Sequence, residues 1–366
     1  MKKKVGILFR NDENWIGGTY YILNLIHAIN LLPKDDKPEV NLICSAEKDF
    51  LFVKEETKYP FLKKFIYTAG DISKQNVFRK IVTKKRFRKM DCVFPYPFRD
   101  DDGFKCVNRK LFWIGDFQEK YLPEFFSDKA LKNRQEINEK IASNPSLVVF
   151  SSEMALADFS RFYPDNKCET FLLQFAVTHS DISDLNAQEV LKKYNIQTPY
   201  FISPNQFWAH KNHECVIRAV HSIVQEGKQI TLLFTGKEFD YRYPEYTNKM
   251  KDIVKELKLE EHIHFLGFID RKEQLVLMKN SKAIIQPSLF EGWSTVVEDA
   301  KCLNKHIVLS NLPVHREQNP PSVSWFDPLS FSSLANALTD LNATNYNFDY
   351  TINKQKYANQ FKLIIS

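Results

Sequence analysis

The sequence predicts an α/β protein built as two successive halves, each a parallel sheet with helices between its strands. Three observations carry this reading. Short apolar runs alternate with longer helical stretches along the chain, the pattern of βαβ units. At 366 residues the chain is long enough for two domains, each with a core of its own. A polar, turn-rich stretch at 178–184 lies near the middle and reads as the linker.

In the first half, strands are expected at 5–9, 40–44, 92–94, 111–114 and 147–150, with helices such as 19–32 and 128–142 between them. In the second half the strand-like runs fall at 200–203, 230–235, 263–265, 283–286 and 307–310. The tail, 350–365, reads as an amphipathic helix. The domains are therefore expected at 1–180 and 181–349, followed by a terminal helix over 350–366.

Composition bounds the function without choosing it. The hydrophobic fraction of 43% and charged fraction of 26% are those of an ordinary globular protein. The start, Met1-Lys2-Lys3-Lys4, resembles a signal peptide, but the apolar run behind it is short and ends at Arg10, so it reads as a first strand. No apolar stretch approaches the roughly 20 residues that span a bilayer, so membrane contact is expected to be peripheral. The six cysteines are scattered with no CxxC pair, which argues against disulfides or a zinc cluster and fits a cytoplasmic setting. The most basic segment, Arg79 to Lys89, could meet anionic lipid at the inner face of a membrane or be a solvated helix face. With a net charge of +6 and one interleaved aromatic, Phe87, the chain does not look like a nucleic-acid enzyme.

The most informative stretch is Phe290-Glu291-Gly292-Trp293-Ser294-Thr295, followed by Glu298 and Asp299, which comes directly after the apolar run at 283–285. In open α/β sheets, ligands gather at the carboxyl ends of strands, where loop amides and the start of the next helix can hold a phosphate. Glu291 and Asp299 would reach hydroxyl-rich parts of a bound molecule while the helix start faces its anionic part; a sugar nucleotide has both. Thr295 and Glu298 have the spacing of a capping box, so Glu298 is assigned to capping and Asp299 to the ligand.

Two acids with seven residues between them, set in Phe-Glu-Gly-Trp-Ser, resemble the signature of the retaining family 4 of GT-B glycosyltransferases, also called group 1. That family usually has Glu where this chain has Asp299. The resemblance extends to Ser203 through His213, where the family carries an Arg and, five residues later, a Lys for the donor diphosphate. Lys211 takes the Lys place and Gln206 the Arg place, so one charge of the usual clamp is missing; Gln donates hydrogen bonds but no charge.

The resemblance implies a GT-B fold, two Rossmann-like domains facing each other across a cleft, with the terminal helix returning to the first domain. It also implies transfer of a sugar from a nucleoside diphosphate (UDP, GDP or dTDP, undetermined) to a glycan or lipid-linked glycan acceptor, as in bacterial surface polysaccharide synthesis, with no metal or other cofactor. Glu291, Lys211 and Asp116 are the implied catalytic residues. Gly17, Gly18, Gln206, Gly236, Gly292, Trp293, Ser294, Thr295 and Asp299 are the implied donor-binding set. Gly17-Gly18 follows the first strand like the family's phosphate-side glycine loop, although a plain tight turn reads nearly as well. It is not GxGxxG, which counts against a dehydrogenase. Asp116, in a segment resembling the acceptor-side loop, is equally readable as a helix cap. Glu153 reads as a helix-start acid.

Three other readings are weighed. Arg99-Asp100-Asp101-Asp102-Gly103 resembles the Asp-x-Asp with which GT-A enzymes hold a divalent cation, but such a run is more often a surface turn. A sugar-nucleotide epimerase on the same fold, or a non-catalytic partner subunit suggested by Gln206 and Asp299, are the alternatives to a transferase.

Overall fold

The computed structural model describes residues 2–12, 16–68, 75–98, 103–341 and 346–366. The acidic run from Arg99 to Asp102 lies outside these residues. The chain forms two compact units, one of residues 1–117, 132–178 and 351–366, the other of residues 118–131 and 179–350.

The first unit carries β1 (Lys4–Leu8), β2 (Glu39–Cys44), β3 (Leu62–Ile66) and β4 (Cys92–Phe94) in the order β3-β2-β1-β4, and a second sheet of β5 (Leu111–Ile114), β6 (Leu147–Phe150) and β7 (Glu169–Leu172) in sequence order. All pairs are parallel. A bridge from Val93 to Lys110 and the Tyr96 amide bond to the Leu111 carbonyl, 2.7 Å, connect the edges of the two sheets. The helix Ile16–Ile29 starts earlier than expected, so Gly17 and Gly18 form its first turn instead of preceding it. The terminal helix Thr351–Ile365 packs on that helix, with Tyr357 beside Tyr21 and Phe361 5.5 Å from Phe94.

The second unit is one six-stranded parallel sheet of β8 (Phe201–Ser203), β9 (Leu232–Phe234), β10 (Ile263–Phe265), β11 (Ile284–Gln286), β12 (Ile307–Ser310) and β13 (Val323–Phe326), ordered β10-β9-β8-β11-β12-β13. Helices cover both faces, so its strands read as unbroken apolar runs. Alternation still assigns each side chain a face: Ile285, Val308 and Phe234 enter one core, Ile284, Leu309 and Leu233 the other. Each fully buried aliphatic contributes about 1.5–3 kcal/mol relative to exposure. The chain winds outward from β8 through β9 to β10, then returns to β11 and winds the other way. Strand order therefore reverses between β8 and β11, and in open α/β sheets such a switch point is where ligands bind, at the carboxyl ends of the strands.

The unit boundary is sharp. The Thr178 amide is held by Asn24 Oδ1 at 2.8 Å, in the first unit, and the next side chain, His179, is held by Asp299 at 2.8 Å, in the second.

Candidate active site

Lys211 and Glu291 meet at the switch point. Lys211 ends the short turn Ala209–Lys211 after β8, and Glu291 lies in the loop after β11. Lys211 Nζ is 2.5 Å from Glu291 Oε1, with both side chains largely buried. The same oxygen accepts from Ser288 Oγ at 2.6 Å and Gln286 Nε2 at 2.8 Å. Three donors thus fix one carboxylate oxygen, leaving Oε2 as the oxygen oriented for another donor.

The backbone beneath the pair is tied across the two loops. The Leu289 amide bonds the His210 carbonyl at 2.8 Å, and Asn212, in the left-handed region, donates to the carbonyls of Pro287 and Pro328. Asp240 accepts from the Ala209 amide and from the backbone and side chain of Arg242. Arg242 in turn stacks on Trp208 and donates to His210 Nδ1 at 3.3 Å. Sequence reading missed this Asp240–Arg242 brace because its members gain meaning only when the loop after β9 folds onto the loop after β8.

Gly236 has a close-packing reason to be glycine. At φ +142 its amide bonds the Gly267 carbonyl at 2.9 Å, and a Cβ would lie 2.2 Å from the Asn205 carbonyl oxygen. The turn leading into Gln206 therefore rests on the glycine backbone. Gln206 Nε2 is buried without a hydrogen-bond partner.

The helix Thr295–Cys302 corrects one sequence expectation. Its N-cap is Ser294, which makes no side-chain cap bond, and no capping box forms at Thr295 and Glu298. Glu298 is instead a fully buried hub that accepts from Lys301 Nζ at 3.0 Å, Gln318 Nε2 at 2.9 Å and Tyr350 Oη at 2.6 Å. Gln318 also brackets Ser294, accepting from its amide and donating to its carbonyl. That arrangement keeps the helix start next to Gly292 and Trp293 in place.

Asp299, 1% exposed, is also held by protein groups: Oδ1 lies 2.6 Å from Arg271 Nη2 and 2.8 Å from His179 Nε2. Burial pushes its carboxyl pKa up, but Arg271 and His179 outweigh that and hold it below the usual carboxylate range. Arg271 continues through Gln274 to Thr235, joining the end of β9 and the helix after β10 to the helix after β11. Nothing local in the sequence marks His179, and Arg271 is marked only by its place directly after the helix cap Asp270, in the first turn of the helix that follows β10.

Of the other sequence-derived residues, Gly292 is buried beside Glu291, Trp293 and Thr295 are partly exposed, and Ser294 Oγ is buried without a partner. Asp116 and the Gly17-Gly18 turn belong to the first unit, Asp116 two residues past β5 and partly buried. The segment from Gln118 to Leu131, expected with the first domain, is grouped with the second unit, where Tyr121 packs 5.2 Å from Phe290, the neighbour of Glu291. Among the described residues no group of three His, Cys, Asp or Glu side chains could hold a metal ion, and no helix is long and apolar enough to cross a membrane.

This geometry is matched by similarity. Residues 187–357 match the model of the family described as Glycosyl transferases group 1. The O-antigen chain mannosyltransferase RfbU of Salmonella typhimurium is 22% identical over 163 residues, which is 43% of this chain and 42% of that protein, so the match spans about two fifths of the relative's length. A glycosyltransferase from Rickettsia africae superposes with a TM-score of 0.65 at 15% identity over 99% of this chain and 93% of its own. Anabaena Alr3699/HepE, solved with UDP and glucose, gives 0.65 at 17% identity over 99% and 97%. The chain therefore has a GT-B fold, and the second half of it, residues 187–357, resembles group 1 glycosyltransferases.

Two outcomes follow from the site's construction. Glu298→Gln leaves the Lys301 charge buried without its counter-ion, which costs about 3–5 kcal/mol. Urea unfolding measures this, and a loss under about 2 kcal/mol would be that of a mere helix cap. The second concerns pH. Burial keeps His213 neutral, with its pKa near 3, and His315 neutral, near 4, and it lowers His210 well below the usual value. The unfolded chain protonates these rings near pH 6.5, so their stabilisation is complete above that pH and is lost as pH falls toward the folded values. Stability should therefore drop between pH 7 and 5 by up to about 1.4 kcal/mol per pH unit per ring. A flat profile in urea titrations over that window would contradict the neutral assignment.

Proposed function

We propose that the protein transfers a sugar from a nucleoside diphosphate to a hydroxyl acceptor, with retention at the anomeric carbon, in the assembly of a bacterial surface polysaccharide or related glycoconjugate. The observation that carries this reading is the Lys211–Glu291 pair at the carboxyl ends of β8 and β11. It offers a cation and an oriented carboxylate oxygen side by side, which suits the diphosphate and the sugar of one donor. The kinship with an O-antigen mannosyltransferase and with a protein solved with UDP supports the choice of chemistry.

In this mechanism the bond from the anomeric carbon to the β-phosphate oxygen breaks while the acceptor oxygen bonds the same carbon. The acceptor proton passes to the departing phosphate on the same face, so no strong protein base is needed. Negative charge grows on the diphosphate, and Lys211 turns toward it from Glu291. The free amides at the start of Thr295–Cys302 and that helix's dipole add to the stabilisation, each such preorganised donor being worth about 3–4 kcal/mol. Glu291 Oε2 then accepts from donor-sugar hydroxyls. Asp299 orients Arg271 at the start of the helix that follows β10, where it supplies the positive charge that Gln206 does not. Asp116 serves the acceptor side.

Glu291→Gln should lower turnover about a hundredfold with the fold intact, and Lys211→Ala should abolish nearly all transfer. A thermal-shift screen with UDP, GDP, dTDP and their sugars identifies the donor, since a ligand that binds only the folded state raises the melting temperature. No shift with any of them, or unchanged turnover in Glu291→Gln, would overturn the reading.

The acceptor is proposed to be lipid-linked and to be met at a membrane. The helix Val77–Arg88 buries only Phe87 and exposes Val77, Phe78, Ile81 and Val82 beside Lys85 and Arg88, an apolar and basic face suited to anionic lipid. The protein should float with phosphatidylglycerol vesicles and not with phosphatidylcholine alone, and Phe78→Ser with Ile81→Ser should release it. Equal flotation with both lipids would contradict an electrostatic contact.

A further inference from the structure

His315, in the helix Pro313–Gln318 that follows β12, is completely buried yet half-satisfied. Its Nδ1 lies 2.8 Å from the Ser310 carbonyl oxygen, which can only accept, so Nδ1 carries the proton and Nε2 presents a bare lone pair. Nε2 has no hydrogen-bond partner. The Ser310 hydroxyl donates to the Ser288 carbonyl at 2.8 Å, and Ser288 Oγ donates to Glu291, so the ring is built onto the loop that carries Glu291. The charges acting on the ring are those of Glu291 and Lys211.

A second bare acceptor stands in the same strand-end cluster. Gln286 gives its amide hydrogens to Ser288 Oγ and to Glu291 Oε1, which fixes Oε1 as an acceptor, and that atom too is buried without a partner. The chemistry of the missing partner follows. Phosphate oxygens at neutral pH only accept, so a neutral imidazole acceptor cannot hold one. A sugar hydroxyl donates. The ring stays neutral because burial lowers its pKa to about 4.

We propose that His315 Nε2 accepts a hydrogen bond from a hydroxyl of the donor's sugar, which makes His315 a determinant of which sugar is transferred. The assignment deepens the proposed function and rests on it. On that reading Lys211 and the start of the helix Thr295–Cys302 meet the diphosphate, so His315 acts on the sugar alone.

The test compares each nucleoside diphosphate with its sugar nucleotide, UDP with UDP-glucose and GDP with GDP-mannose, by calorimetric titration. His315→Asn places an amide atom where Nδ1 was, keeping a link to Ser310, and removes the acceptor at the ε position. Its affinity for the sugar nucleotide should fall about tenfold, the scale of one hydrogen bond, while that for the nucleoside diphosphate is unchanged. His315→Gln restores an oxygen near the Nε2 position and should recover sugar-nucleotide affinity to within about threefold of wild type. Deoxygenated donor sugars repeat the test on the unaltered protein: removal of one hydroxyl should cost the same roughly tenfold in wild type and nothing in His315→Asn. An unchanged sugar nucleotide affinity in His315→Asn, or a parallel loss for the nucleoside diphosphate, overturns the assignment. A wild-type protein that binds none of these ligands overturns the transferase reading itself and the assignment with it.

Discussion

The pairing of Lys211 with Glu291 is the interaction on which the second unit is organised. It can form only where strand order reverses, because the loops after β8 and β11 are neighbours there although 80 residues separate the two side chains. A largely buried ion pair gives little net stability, since the cost of desolvating two charges offsets their attraction. Its position at the strand ends, with Ser288 and Gln286 arranged around one carboxylate oxygen, is better explained by what it can exchange. On the proposed function, a diphosphate would compete for the lysine and sugar hydroxyls for the carboxylate.

Around the pair, three supports act on different partners. Asp240 and Arg242 brace the turn that carries Lys211. Glu298, Lys301, Gln318 and Tyr350 set the start of the helix after Glu291. Asp299 gathers Arg271 and His179. The last two supports differ in physical character. Glu298 is sealed and pairs inside the fold, whereas Asp299 holds an arginine whose side chain keeps contact with solvent. A carboxylate that orients a cation can serve a ligand without touching it, and on the proposed function Asp299 would in this way compensate for the neutral Gln206.

Legibility in the sequence followed burial and chain distance. Central strands such as Ile284–Gln286 and Ile307–Ser310 were read correctly because both faces are covered and the run is apolar. Leu62–Ile66 and Glu169–Leu172 went unread because they are edge strands: Lys63, Lys64, Glu169 and Thr170 face solvent and break the pattern. Lys211 and Glu291 are legible singly, each in a motif next to a strand end, but their pairing across 80 residues is not. The roles of Glu298 and Asp299 were not, because their partners Tyr350 and His179 lie 52 and 120 residues away and nothing local points to them. Thr295 and Glu298 had the spacing of a cap, yet Glu298 is drawn inward by Lys301, three residues on, and by Gln318. The likeness to family 4 located the motif but could not distinguish an acid that meets the ligand from one that holds the scaffold.

The exchange account has a signature that a purely structural ion pair would not give. If the diphosphate takes Lys211 away from Glu291, neutralising the carboxylate removes the competitor. Nucleoside diphosphate binding to Glu291→Gln, measured by calorimetry, should then be tighter than to the wild-type protein, although turnover falls about a hundredfold. Unchanged or weaker binding of the nucleoside diphosphate would contradict the claim that this pair is the donor's point of entry.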